Sequence, residues 1–389
     1  MKFIKKFFKK NKTLKIFILT LIIWRVFLFF PIFISQFIFP LSRSYLGGGL
    51  KWYLTNPYLY GWANFDGEHY LTISRDGYRM YEYFFFPVFP LLIRFIAQIF
   101  SNTFVSHLVT SIIISNISFI ISLFGFWKLL RLDYDKKFSL FCIFTLLCFP
   151  MSFFFTSTYT ESIFFAFIIW TFYFARKKRW FFASLLGLFA SATRIVGILM
   201  LPVVFIEIIM TRKNINYKIV NSLFTLLIPL GLLSFMFYLK RQTGDPLIFL
   251  NTINIFGNQR SSHLILLPQV FYRYFFKIIP NLTLSYFQTN FLTFIELASG
   301  IILLVLSVIS FFKLRLSYSI FLISGYIVPT LTGSFSSLPR YMLVLFPAFI
   351  LIGKFLEKKS EFAKVLILSI SLFTLVLAES IFMRGYFIS

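Results

Sequence analysis

Apolar runs of 13 to 26 residues recur from Leu14 to Ala378, and within them hydrophobic side chains follow one another continuously instead of alternating. A segment that crosses roughly 30 Å of hydrocarbon must satisfy every backbone N–H and C=O internally, which about 20 residues of helix accomplish. Strands of a membrane barrel would alternate with period two, so the runs read as helices. Composition agrees: 59% of the 389 residues are hydrophobic and 13% are charged, a balance that no soluble domain of this size keeps in water. The expected fold is an all-α polytopic membrane protein, one multi-pass body over residues 1–389.

Eleven runs qualify as spans: Leu14–Phe39, Val105–Leu130, Phe138–Phe155, Tyr159–Ala175, Trp180–Thr193, Ile195–Met210, Ile219–Leu239, Phe291–Phe312, Leu316–Leu331, Tyr341–Gly353 and Ala363–Ala378. The first follows a basic segment and has no small-residue cleavage site, so it reads as a retained span. Lys and Arg bias in short loops sets orientation. Placing the cluster from Lys2 to Lys15, Lys128–Lys137, the run Arg176-Lys177-Lys178-Arg179, Arg212–Lys218, Lys313 with Arg315, and Lys354–Lys364 in the cytoplasm accounts for 24 of the 38 positive residues. The net charge of +25 is thereby explained without nucleic acid as a partner.

Counting Phe84–Phe100 as a full crossing would put the Arg176–Arg179 run outside. Pro87, Pro90, Arg94 and Gln98 also interrupt its apolar surface, so it reads as a juxtamembrane or re-entrant helix on the outer side. Residues 1–13 then form a basic cytoplasmic tail, 40–104 an outer catalytic loop with juxtamembrane helices, and 240–290 a second outer loop. Cys142 and Cys148 lie six apart in one run, on different helix faces, and suit neither a disulfide nor a metal site.

Only 13 acidic residues exist, so every potential general base can be inspected. Asp133, Asp135, Glu357 and Glu361 sit beside Lys and Arg in cytoplasmic loops, where charge pairing explains them; Asp133-Tyr134-Asp135 looks like a metal-binding pair but lacks a soluble domain around it. The densest polar cluster is Trp62-Ala63-Asn64-Phe65-Asp66-Gly67-Glu68-His69-Tyr70. If Asp66 caps a short helix, its carboxylate lies at the positive end and His69 stands on the same side. A plain N-cap is the simpler reading; aromatic neighbours, the histidine and the apolar helix behind it favour a site. Glu161 opens a span at the outer surface, where the helix dipole alone could account for it. Arg194 has about a dozen uncharged residues on each side, a costly placement unless it meets an anion, either Glu161 or a ligand phosphate. Arg340, beside Tyr341, suits a phosphate or snorkels to headgroups. Arg25 reads as a packing or headgroup partner, and His107 and His263 as satisfied structural histidines. No metal-ligand spacing, P-loop or Gly-x-Gly-x-x-Gly motif appears, so no motif requires a metal or nucleotide cofactor.

The ordered motifs Asp66–Tyr70, Phe85–Pro90, Tyr159–Ser162, Ala192–Gly197, Gly244–Leu247 and Ser337–Tyr341 resemble those of the PIG-V-like mannosyltransferases, the family of the second mannosyltransferase of GPI-anchor assembly and its prokaryotic relatives. The resemblance implies a GT-C glycosyltransferase of about eleven transmembrane helices plus outer juxtamembrane helices. It implies a donor sugar, mannose, carried on polyprenyl phosphate, with Asp66 in the place of the family's first-loop aspartate. Glu68 is an extra acid close by, so the choice between them stays open.

The residues themselves fit an inverting transfer in which Asp66 takes the acceptor proton while Arg194 or Arg340 holds the departing phosphate. Glu68, His69, Tyr70, Tyr159, Glu161 and Tyr341 complete the expected substrate-binding set. Partners are then the bilayer, the lipid-phosphate sugar and an acceptor the sequence does not name. The usage of Lys, Ile and Phe suggests a prokaryotic plasma membrane with the site facing outside. The rival reading is a transporter or flippase, with Trp180–Thr193 and Ile195–Met210 as broken helices; a repeat between the two halves is missing, and the polar residues gather at one surface. A membrane scaffold would leave the acid and arginine cluster unexplained.

Overall fold

A computed structural model describes residues 12–251, 261, 263–283 and 286–388. Almost all of the basic tail at 1–13 and part of the 240–290 loop lie outside the described residues. Every regular element among the described residues is helical. Five helices are long and apolar enough to cross a membrane: α1 (Lys15–Ile38), α4 (Phe104–Leu130), α9 (Ile215–Thr243), α10 (Phe287–Lys313) and α14 (Glu361–Met383).

The expectation of about eleven spans is therefore corrected to five among the described residues. The other six runs make shorter helices: α5 (Lys136–Leu147), α6 (Glu161–Arg176), α7 (Trp180–Ser191), α8 (Met200–Ile209), α11 (Leu316–Thr330), and α12 (Leu338–Met342) with α13 (Phe346–Glu357). Local breaks shorten them. The run after α5 turns at Phe149-Pro150 and continues as a 3-10 turn over Ser152–Thr156, and the run before α8 starts as a 3-10 turn over Ile195–Leu199. Hydropathy counts an apolar residue equally whether lipid or protein covers it. In α6, Phe164, Phe165, Ile168, Ile169 and Phe172 are fully buried against neighbouring helices. In α4 and α10, Ile117, Ile120, Val308 and Phe311 face outward, as lipid-contacting side chains would.

Helices surrounded by hydrocarbon gain little from burying apolar surface, so close backbone packing does more of the work. Gly231 on α9 shows it: a Cβ there would sit 2.1 Å from the Leu188 carbonyl oxygen and 2.4 Å from Ser191 Oγ of α7. The Ser191 hydroxyl donates to the Ile228 carbonyl at 2.5 Å. This crossing fixes the end of α7 from which Thr193 and Arg194 emerge.

The basic loops meet at one end of the bundle. Arg176, at the end of α6, forks onto both oxygens of Asp133 at 2.6 and 2.7 Å and also donates to the Tyr318 hydroxyl. Arg315 forks onto Glu207 at 2.6 and 2.9 Å, and Asp135 caps α5 through the Phe138 N–H. Asp133 thus has the charge partner expected of it, whereas Asp135 serves as a helix cap on a backbone N–H. Glu161 begins α6 and Arg176 ends it, which puts them about 23 Å apart along the axis.

At the Glu161 end, α2 (Asp66–Asp76) and α3 (Val88–Phe100) lie beside α4. Pro87 and Pro90 fall at the cap and first turn of α3, where a helix needs no proline N–H. Arg94 bonds the Ser74 and Ile73 carbonyls at the end of α2. His107 is satisfied between Ser74 and Asn102. Arg25 packs its guanidinium 4.3 Å from the Trp62 ring centroid and donates to Thr156.

Candidate active site

Asp66 is the first residue inside α2, while the cap position belongs to Phe65, whose φ of 56° lies in the left-handed region. A phenylalanine held there costs of order 1–3 kcal/mol, which the surroundings must offset. The Phe65 N–H bonds the Tyr45 carbonyl, and its ring contacts Tyr45, Phe382 and Phe387. Asn64, fully buried, accepts from the Gly47 N–H, donates to the Phe382 carbonyl, and offers its own carbonyl to the Tyr159 hydroxyl at 2.8 Å. Gly67 lies so close to Ala63 and Thr158 that a Cβ would touch both, at 3.3 and 3.5 Å. The start of α2 is thereby seated on the turn that carries Tyr159 and Glu161.

Arg340 comes from α12, entered through Ser337 at φ 65° with Pro339 in the first turn. Its Nη1 donates to Asp66 Oδ2 at 2.7 Å, and its Nε lies 3.4 Å from Glu161 Oε1. Arg194, in extended backbone between α7 and the 3-10 turn, donates to the same Glu161 oxygen at 2.7 Å. Glu161 thus sits between two arginines, with its side chain 1% exposed, while Asp66 keeps 26% of its side chain accessible. Burial opposes the Arg340 charge, but the Asp66 and Glu161 carboxylates outweigh it and hold the guanidinium well above its ordinary range. Aromatic faces complete the cradle: Arg340 stands 5.2 Å from the Tyr159 ring and Arg194 4.9 Å from the Tyr341 ring.

These groups border a cavity of about 170 Å³. Asp66, Tyr70, Arg194, Arg340 and Tyr341 supply its polar wall together with Thr193, Thr332 and Ser336, and Phe84–Phe86, Ile195, Val196, Phe249, Leu250, Val328 and Pro329 its apolar wall. Pockets that enclose whole small molecules run to about 300–1,000 Å³, so this one suits a headgroup whose remainder lies elsewhere.

Of the residues named from the sequence, Glu161 and Tyr159 stand behind the arginines and support them. Glu68 and His69 do not line the cavity. The Glu68 carboxyl accepts the backbone N–H groups of Gly48 and Gly49, and burial pushes it up to about 7. His69 Nδ1 lies 3.6 Å from Glu82 and its ring stacks on Phe85, 4.8 Å between centroids. Sequence reasoning missed Asn64 as a clamp and Phe249 and Leu250 as wall residues. The Gly244–Leu247 motif gives a clue to the latter pair. Asp245 accepts from the Leu247 N–H and the Asn251 amide, folding the turn that delivers them. Among the described residues, no group of three or more His, Cys, Asp or Glu is placed to hold a metal ion.

No family model matches the sequence, and no curated protein matches it. Among solved structures, the chain is similar to the apo crystal structure of the Archaeoglobus fulgidus oligosaccharyltransferase, with a TM-score of 0.42 and 13% identity. That match covers 93% of this chain and 56% of the other, so this chain spans little more than half the length of the protein it matches.

Proposed function

We propose that this chain is a membrane glycosyltransferase of the GT-C type that moves a sugar, mannose by its resemblance to the PIG-V-like enzymes, from a polyprenyl-phosphate carrier to an acceptor hydroxyl. One observation carries the reading. Asp66, Arg194 and Arg340, drawn from three separate segments of a chain poor in charge, converge on one small cavity, with Glu161 buried behind both arginines, at the end of the bundle away from the basic loops.

The chemistry follows from what each group can do. The acceptor oxygen attacks the anomeric carbon, its proton passes to the Asp66 carboxylate, and the bond from that carbon to the phosphate oxygen breaks with its electron pair leaving on the phosphate. Arg194 and Arg340 meet the charge that builds there, and Arg suits phosphate because its fork matches two oxygens. A single accessible carboxylate at the cavity favours direct displacement and inversion. The phenylalanine wall accommodates the first apolar units of a prenyl chain, and the lipid tail extends into the bilayer. The site would face outside, opposite the basic loops.

The test is release of polyprenyl phosphate from polyprenyl-phosphate mannose by purified protein in lipid nanodiscs, with a crude membrane extract as acceptor. Asp66→Asn should abolish release while expression and melting stay near wild type. Release unchanged by that substitution removes Asp66 from the mechanism. Intact donor that crosses the bilayer faster than in empty discs moves the protein to the flippase class.

A further inference from the structure

The roles just given to Asp66 and Arg340 conflict while the two hold each other. A carboxylate gripped by a guanidinium is a weaker base than one released from it, and a guanidinium committed to carboxylates has fewer N–H groups to offer phosphate. The geometry resolves the conflict. Asp66 is the accessible member of the cluster and lines the cavity, whereas Glu161 is buried behind both arginines and does not line it. Arg340 therefore has two anions, one that can leave toward solvent and one that cannot.

Glu161 is also suited to remain. Arg194 anchors one of its oxygens at 2.7 Å, and that oxygen stays 3.4 Å from Arg340 Nε; its second oxygen is buried with no hydrogen-bond partner. A phosphate entering the cavity approaches Arg340 from the side that Asp66 occupies. Resting on the phosphate-donor reading above, we propose that Arg340 is handed from Asp66 to the donor phosphate as the donor binds. Asp66 gives up the guanidinium and becomes the stronger base only then, and Glu161 is the positioning residue that keeps both arginines aimed throughout. The order of events follows: donor first, then activation of the acceptor hydroxyl. An acceptor that arrives alone meets a base already neutralised by its partner.

The test uses the full chain in phosphatidylcholine nanodiscs with farnesyl phosphate as probe, farnesol and inorganic phosphate as controls, and calorimetric titration as readout. Asp66→Asn removes the competitor for Arg340, so it should bind farnesyl phosphate about tenfold tighter than wild type, the scale expected for a close charge pair. Arg340→Gln should bind at least about tenfold weaker. Equal or weaker binding by Asp66→Asn overturns the hand-over even if wild type binds well. If wild type does not distinguish farnesyl phosphate from farnesol, the phosphate-donor reading itself fails; if inorganic phosphate binds as tightly, the site takes free phosphate and the prenyl-phosphate assignment falls. A measurement on wild type alone guards against a variant that fails to fold. Difference infrared spectra on adding farnesyl phosphate should show a carboxylate band shifting, and a carboxylate region without change overturns the proposal too.

Discussion

Glu68 offers a test of the loop that supports the site. Its carboxyl is half-buried at the start of α2 and accepts N–H groups from Gly48 and Gly49, both at positive φ, 73° and 79°. Burial raises it from an ordinary 4.5 to about 7, with the two backbone hydrogen bonds pulling part of the way back. The folded protein thus binds this proton more tightly than the unfolded chain does. The associated stability is complete below about pH 4.5 and is lost as pH rises through about 7. A difference of that size is worth about 3 kcal/mol at ~1.4 kcal/mol per pH unit, and solvent screening at a half-buried position brings it to about 1–2 kcal/mol. Thermal melts of the detergent-solubilised protein at pH 5 and pH 8.5 should show wild type losing roughly 2–4 °C more than Glu68→Gln over that range. Hydrogen exchange at Gly48 should quicken over the same interval beyond its intrinsic pH dependence, whereas Gly49, whose N–H also donates to the Leu46 carbonyl, should change less. Parallel melting curves for wild type and Glu68→Gln would refute the reasoning.

Three further outcomes follow from packing and capping. Gly231→Ala forces a methyl against the Leu188 carbonyl, so α7 and α9 must part; melting should report a loss of about 1–3 kcal/mol and donor release should fall with the displacement of Arg194. Asp135→Ala removes the cap on α5 and should cost about 1 kcal/mol with donor release unchanged, whereas a loss as deep as that of Asp66→Asn would revive Asp133-Tyr134-Asp135 as a site. Arg25→Leu removes the guanidinium from the Trp62 ring and from the Thr156 hydroxyl and should cost roughly 1–2 kcal/mol by melting.

How much of this could be read from residues alone depends on what each signal measures. Charges are rare in this chain and costly in hydrocarbon, so Asp66, Arg194 and Arg340 stand out one at a time. Their pairing does not, because Asp66 and Arg340 are 274 residues apart and local sequence carries no distance information. Glu68 and Asp66 share the first turn of one helix, yet Glu68 meets the Gly48–Gly49 backbone while Asp66 meets the Arg340 guanidinium. The number of spans is not legible in hydropathy, for a definite reason. Buried helices such as α6 are as apolar as lipid-facing ones, and the breaks at Pro150 and Ile195 sit inside runs that hydropathy smooths over. The basic end was legible since positive charge is itself the signal there.

The clamp made by Asn64 has a consequence for biosynthesis. It grips Phe382, 318 residues further on, while Asp66 must wait for Arg340. At ~5–20 residues per second, a ribosome needs roughly 14–55 s to travel from one member of the latter pair to the other. Throughout that interval the early loop lacks its Arg340 and Phe382 contacts, and α14 closes over it only once that helix has itself been made and inserted. A nascent chain therefore holds no assembled Asp66–Arg340 pair until α12 has joined the bundle, and membrane quality control has an incompletely packed loop by which to recognise one that stalls.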